Sequence, residues 1–500
     1  MATEQENHVP DSVIPHGSLP PLRYRDLPEP ISLRRMIGPS IVLTGLALGS
    51  GEFIFWPYIT YKTGFVFFWA CILGVITQYF LNMEIERWTL ATGESVITGF
   101  CRLSLHWAWI FLILNIVPWA WPGWATGAAQ IISWSIWEPQ MTETGLQSYH
   151  VIPMAIGSLL LVGVILTSGP VVYNTVERLQ LILVSLVFVF AILLAIAVVR
   201  WEHIQAMLYG IMSIGQMPDE SSSGLDTIFL LGALAFAGAG GTTNLCQSNF
   251  IKDKGYGMGH YVGRITSPVT GQEEAVSDVG YHFPYTEENI SRWNAWWQAA
   301  NREHALTFIL PCLLSLALLS LISYALIHGS DTDYSQDINF VWGQATEIHV
   351  RLGVLFKWAF LGIGIAALLT TELGILDACA RISSDIVKMN FCRQIDWLSG
   401  SKLYFIFLWA EIVFGCFILL IGMDKPGLLL KTTAAMNGGV MFLYSMTLLY
   451  LNKRALRGAL SMHPVRLLAL IWSTLFFGYF TIKALVIEVI PYLRDVAGLT

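Results

Sequence analysis

The chain has 500 residues, of which 55% are hydrophobic and 13% charged, and its formal net charge is −7. Soluble domains carry about 25% charged residues. The composition therefore excludes a soluble enzyme or a nucleic-acid binder and specifies a polytopic membrane protein in contact with the lipid bilayer. Residues 1–35 are polar and Pro-rich and lack the apolar run of a cleavable signal, so they read as a cytosolic tail. Windows of about 20 apolar residues then predict eleven spans, near 36–61, 64–90, 105–136, 150–168, 171–199, 225–250, 305–328, 352–380, 402–423, 427–451 and 464–490. Most Lys and Arg residues, among them Arg35, Arg87, Arg178, Lys252, Arg381, Lys388 and Lys453, fall on one side, whereas the opposite loops carry Asp331, Asp333, Asp337 and Glu347. The positive-inside rule places the N-terminus in the cytosol, with the plasma (inner) membrane as the expected location.

Two spans are interrupted. In the first, Gly49-Ser50-Gly51-Glu52 lies midway along the apolar run from Met36 to Tyr61. A charged side chain near the bilayer centre costs roughly 2.5–3.5 kcal/mol, and each Gly disfavours helix by about 1 kcal/mol relative to Ala. In the sixth span the interruption is Gly238-Ala239-Gly240-Gly241-Thr242-Thr243-Asn244. The two occupy matching places in two five-span halves, and paired interruptions of this kind point to a transporter's binding site. Close packing through small residues is the competing explanation. The candidate substrate- or ion-binding residues are Gly49, Ser50, Glu52, Gly238, Gly241, Thr242, Thr243 and Asn244.

Around these, Gln247, Glu372, Thr433 and Asn437 are candidates for a supporting shell or pathway, with a purely structural role as the alternative for each. Asp377 and Arg381 are spaced for an i,i+4 ion pair. Trp119, Trp121 and Trp124 cluster around Pro118 and Pro122, as a kinked, packed span or as walls of a site for an organic solute. The one long loop, 251–304, holds a helical pattern with Trp293, Trp296 and Trp297, expected either at the membrane surface or packed beneath the bundle. The seven cysteines show no CxxC or Cys/His spacing and read as reduced, buried small residues.

Short matches in order along 36–490 give the chain a resemblance to the Nramp family of divalent metal transporters. They are Ile37-Gly38-Pro39-Ser40, Gly64-Phe65 through Trp69, Leu90-Ala91-Thr92-Gly93, Asn244-Leu245, Ile386-Val387 and Asn452-Lys453-Arg454. The resemblance implies an all-α membrane protein of LeuT-like fold, a 5+5 inverted repeat plus an eleventh helix, with helices 1 and 6 interrupted. Its divisions would be a tail at 1–35, repeats at 36–200 and 201–451 with the insertion 251–304, and a last helix and C-terminus at 452–500. The departures fall on the site. Where the family has Asp-Pro-Gly-Asn, this chain has Gly49, Ser50, Gly51 and Glu52; where it has Met-Pro-His before Asn, this chain has Gly241, Thr242 and Thr243 before Asn244. The family's third-helix acids correspond to Leu114, Trp121 and Trp124, and its helix-nine arginines are absent, leaving Glu411 as a lone acid.

The sequence therefore predicts a secondary transporter of a divalent cation, with Glu52, Thr243 and Asn244 as metal ligands. With the Met missing, oxygen donors favour a hard cation such as Mg²⁺ over transition metals. No resident cofactor is expected; sodium coupling is an option, since the family's proton route is missing. The alternative on the same fold is a sodium-coupled carrier of an organic solute or anion. The sequence contains no HExxH, GxSxG or His-rich span, so enzymatic activity is not expected.

Overall fold

The computed structural model describes residues 7–142, 145–267 and 279–491. The chain is built almost wholly of helices. Those long and apolar enough to cross a membrane are α1 (Pro39–Thr63), α2 (Phe68–Thr92), α3 (His106–Ile136, bent after Pro118), α4 (Val151–Ser168) and α5 (Val172–Val198). After a break come α8 (Glu287–Ile327), α9 (Val354–Asn390), α10 (Gly400–Leu420), α11 (Pro426–Ala455) and α12 (Pro464–Ile487). Between α5 and α8, two short helices, α6 (Thr227–Ala235) and α7 (Gly241–Lys254), make one further passage. The first five passages start from the face where the N-terminal segment lies, and the next five from the opposite face. This is the topology of an inverted repeat.

Burial follows the same plan. The apolar window of α1 is wholly buried, whereas α4, α5, α10 and α12 turn Leu161, Ile196, Val413 and Leu475 outward. Apolar side chains on the outside are what a hydrocarbon solvent requires.

The structure sharpens three expectations. The Gly49–Glu52 interruption is not an unwound strand: Leu48–Phe55 is a π-helical segment inside a continuous helix, so the backbone stays hydrogen-bonded one residue further along. Residues 7–36, most of the expected tail, are packed against the bundle. Arg23 and Tyr24 pair in parallel with Tyr281 and His282, Arg102 donates to the carbonyl of Pro20, and Trp296 Nε1 donates to that of Pro28. The helix carrying Trp293 and Trp296 is packed beneath the bundle, with both rings buried and Trp296 against Tyr256. Residues 1–6 of the expected tail, 268–278 of the insertion and 492–500 of the C-terminus lie outside the described residues.

Candidate functional site

The break between α6 and α7 runs from Phe236 to Gly240. Gly240 and Gly241 both have positive φ, 78° and 55°, which side chains with a Cβ rarely adopt. Freed backbone groups in a membrane interior must find partners, and here Gln78 of α2 supplies them. Its Nε2 donates to the Ala235 carbonyl at 2.8 Å, and its Oε1 accepts from Gly240 N at 3.3 Å and Asn244 Nδ2 at 3.2 Å. Trp56 Nε1 satisfies the Ala233 carbonyl at 3.1 Å. Gly238 leaves room for Gln78, since a Cβ there would press on its amide.

α1 crosses this break at Gly51, where an added Cβ would overlap the Phe236 carbonyl. Only a glycine permits that approach. On either side, Gly49 N donates to Thr371 Oγ1 of α9 at 3.0 Å, and the Ser50 hydroxyl bonds back to the Leu46 carbonyl at 3.2 Å. Glu52 is fully buried, and neither carboxyl oxygen has a hydrogen-bond partner among the described residues. The polar groups it faces are the Ser315 hydroxyl and Cys312 thiol of α8 and the Cys71 thiol of α2. The hydroxyl of Ser315 is already committed to the Pro311 carbonyl.

The other expected residues separate into groups. Thr242 accepts from Trp119 Nε1 and donates to Asn115 Oδ1, both at 2.7 Å, which ties α7 to α3. Thr243 donates to the Ala239 and Gly240 carbonyls at the start of its own helix. Asn244 Nδ2 also reaches Tyr444 of α11 at 3.0 Å, and its Oδ1 has no partner among the described residues. Asn437 stands where a Cβ on Gly241 would fall; its Oδ1 and the Thr433 hydroxyl likewise have no partner among the described residues, while Asn437 Nδ2 donates to the Thr433 carbonyl. Glu372 accepts from Ala125 N at 3.2 Å, where α3 resumes after Pro122. Gln247 lies deeper, donating to Glu86 at 3.3 Å. Thus Gly51, Phe236, Gly241, Asn244 and Asn437 gather at the crossing with Gln78 and Tyr444. The Glu52 carboxyl turns toward α8, and Glu372 and Gln247 belong to neighbouring networks.

A cavity of about 510 Å³ opens on the face opposite the N-terminal segment, lined by Phe55, Tyr58, Gln130, Phe229, Asp337 and Phe340 among others. The Phe55 ring, 5.1 Å from Phe229 and 5.8 Å from Phe236, stands between this cavity and the break. Trp119 and Trp124 pack on Phe236 from the other side, with centroids 6.0 and 5.9 Å away. The N-terminal face is closed by ion pairs instead. Buried Arg381 holds Asp377 at 2.8 Å and also binds Asp253, Tyr404 donates to Asp377 at 2.7 Å, and Lys254 meets Glu177 at 2.5 Å.

Sequence reasoning missed Gln78, Tyr444, Cys71 and Cys312, all of which face the break or Glu52. A buried glutamine within an apolar helix was the available signal for Gln78. Among the described residues no three His, Cys, Asp or Glu side chains form a metal-holding group. The crossing gathers amide and hydroxyl oxygens and a backbone carbonyl, while the Glu52 carboxyl, with two thiols beside it, faces α8.

No family model and no curated protein matches the chain. Solved structures do. Two mutant crystal structures of the Eremococcus coleocola manganese transporter align over 92% of this chain and 88% of theirs, at 11% identity, with TM-scores of 0.62 and 0.63. The same transporter in complex with an aromatic bis-isothiourea substituted compound aligns at a TM-score of 0.57 over the same shares. At this identity the likeness establishes the fold: an all-α polytopic membrane protein of LeuT-like architecture.

Proposed function

We propose that the protein is a secondary transporter of a divalent metal cation, working by alternating access around the crossing of α1 with the α6–α7 break. The observation that carries this reading is Glu52, a buried carboxyl in the membrane interior with both oxygens unpartnered. Leaving a charge unpaired in such a place costs several kcal/mol, and a bound cation would relieve it. The Phe236 carbonyl, Asn244 Oδ1, Asn437 Oδ1 and the lone pairs of Thr243 are the neutral oxygens nearest the break; Glu52, Thr243 and Asn244 act together as ligands once the Glu52 carboxyl swings from α8 toward them. Such donors suit Mg²⁺, Mn²⁺ or Ca²⁺. The fold shared with a manganese transporter supports a metal substrate, and the one-sided cavity fits one end of an alternating-access cycle.

The test is divalent uptake into proteoliposomes, with Mg²⁺, Mn²⁺, Ca²⁺ and Cd²⁺ compared. Wild type should take up at least one oxygen-preferring cation and be stabilised by it against heat, and Glu52→Gln should lose both effects. Cys312→Ser should leave Mg²⁺ or Mn²⁺ uptake in place, since the oxygens carry the binding. Uptake confined to Cd²⁺ and lost in Cys312→Ser would transfer the site to the thiols. Sodium-driven uptake of an organic solute with no divalent response would refute the reading.

A further inference from the structure

A second set of buried titratable groups lies where α1 begins, toward the N-terminal face. Glu303 and His304 immediately precede the π turn Ala305–Ile309 of α8, and both are buried. π turns inside helices recur at functional positions. Ser40, in the first turn of α1, stands between the two. Its Oγ is 2.5 Å from Glu303 Oε2 and 2.7 Å from His304 Nδ1. Both are distances of a formed hydrogen bond, yet a hydroxyl carries a single proton. The second hydrogen bond of the row Oε2···Oγ···Nδ1 is therefore donated either by a protonated Glu303 or by His304 carrying a proton on Nδ1. Gln247 Nε2 lies 3.4 Å from His304 Nδ1 and 3.3 Å from Glu86 Oε2, which brings a second buried acid into the group. His304 Nε2 and Glu86 Oε1 have no partner among the described residues.

We propose that Ser40, Glu303 and His304 form a proton-binding station coupled to the movement of α1, giving the transporter a proton route through α1 and α8. The proposal rests on the transport reading above. In the transfer, protonated Glu303 gives its proton to Ser40 Oγ while Ser40 gives its own to His304 Nδ1. Glu303 becomes a carboxylate, the imidazole, until then protonated only at Nε2, becomes an imidazolium, and the net charge of the row is unchanged. The Nε2 proton, which has no partner among the described residues, then leaves the ring.

Coupling follows from which helix owns each atom. Ser40 belongs to α1, and both of its partners belong to α8. A second tie of the same kind joins Thr44 Oγ1 of α1 to the Thr307 carbonyl in the π turn, at 2.6 Å. Moving α1 breaks these bonds, so the affinity of the row for a proton differs between the two positions of α1. A differential affinity of that kind is what links binding to a conformational equilibrium. The other ionisable groups facing the pair are Tyr79 and Glu86 from α2, Tyr173 from α5, Lys254 and Tyr256 at the end of α7, and Arg466 from α12. Lys254 is paired with Glu177, whereas Arg466 repels an imidazolium and so favours release of the proton.

Glutamine at 303 keeps a carbonyl oxygen for the Ser40 hydroxyl but holds no exchangeable acid proton, so it separates a structural tie from a proton site. In proteoliposomes carrying an internal pH dye, a Mn²⁺ or Mg²⁺ gradient should drive proton movement with wild type. Glu303→Gln should lose that movement while still being stabilised by the same metal. Proton movement unchanged in Glu303→Gln overturns the proposal. Infrared titration of the purified protein in detergent needs no transport at all. Wild type should show a protonated-carboxyl band that changes with pH, is missing from Glu303→Gln and is shifted in Ser40→Ala. Identical spectra for wild type and Glu303→Gln overturn the station whatever the fluxes show. A titrating Glu303 band together with no metal flux supports the station and refutes the transport reading alone.

Discussion

Replacing Gln78 with leucine is the most direct probe of what holds the α6–α7 break in shape. Leucine has nearly the same volume and suits a membrane helix, so the substitution removes hydrogen bonds and little else. Three are lost, to the Ala235 carbonyl, Gly240 N and Asn244 Nδ2, all in a region closed to water. Hydrogen bonds inside membrane proteins average about 0.6 kcal/mol, with a maximum near 1.7, whereas a buried group left without any partner costs about 1–3 kcal/mol. The Ala235 carbonyl and Gly240 N sit beside a non-helical segment with no neighbouring turn to take them over. They fall toward the upper figure and Asn244, which keeps Tyr444, toward the lower. At about 1–3 kcal/mol for each of the two and about 0.6 for Asn244, the expected loss is about 3–7 kcal/mol, measured by equilibrium unfolding in mixed micelles, with metal uptake falling in parallel. Tyr444→Phe, which removes one bond, should cost under about 1 kcal/mol. A Gln78→Leu protein within about 0.5 kcal/mol of wild type, with normal uptake, would mean that the break is held by packing alone.

Gly51→Ala should abolish uptake and destabilise by about 1–3 kcal/mol through overpacking against the Phe236 carbonyl; Gly362→Ala, at a helical glycine facing open space, is the control expected to be silent. Arg381→Leu leaves Asp377 and Asp253 buried without their cation, a change worth about 3–5 kcal/mol of destabilisation by the same unfolding assay. His282, buried in the insertion with Nδ1 2.9 Å from the Ala91 carbonyl, has its pKa pushed down to about 4 by burial. Between that value and the ordinary 6.5 the unfolded segment binds a proton that the folded one excludes. Stability is therefore complete above pH 6.5 and declines as pH falls toward 4, by roughly 3 kcal/mol at most. Limited proteolysis of the N-terminal segment should accelerate over that window in wild type and not in His282→Phe.

Much of the architecture was legible because hydropathy and charge act locally along the chain. The spans, the break at Gly238–Asn244 and the Asp377–Arg381 pair all emerge from spacing. What escaped depends on partners far apart in sequence. Ser40 meets Glu303 and His304 across 263 and 264 residues, and no periodicity announces such a meeting. The N-terminal residues read as a tail because they are polar and Pro-rich, and carbonyls in just such a segment are what Arg102 and Trp296 bind. Gly49 and Gly51 looked like helix breakers; they serve close contact with α9 and with the Phe236 carbonyl while the helix runs on. Glu52 was legible as an acid in the wrong solvent, but not the direction in which it points.

The π segment at Leu48–Phe55 bears on how this chain is to be aligned with others. A π turn accommodates one residue more than an α turn, and each residue of an α-helix advances the angle by about 100°. A relative whose first helix is α-helical throughout therefore needs a one-residue gap here. Correspondences counted back from Gly64 and forward from Pro39 will then disagree by one position across Gly49–Glu52. Deleting a single residue from this stretch would convert it to α-helix and leave Ser40 and Thr44 in register with the half ending at Thr63, whereas a deletion in the α-helical part on either side would swing them about 100° around the helix axis.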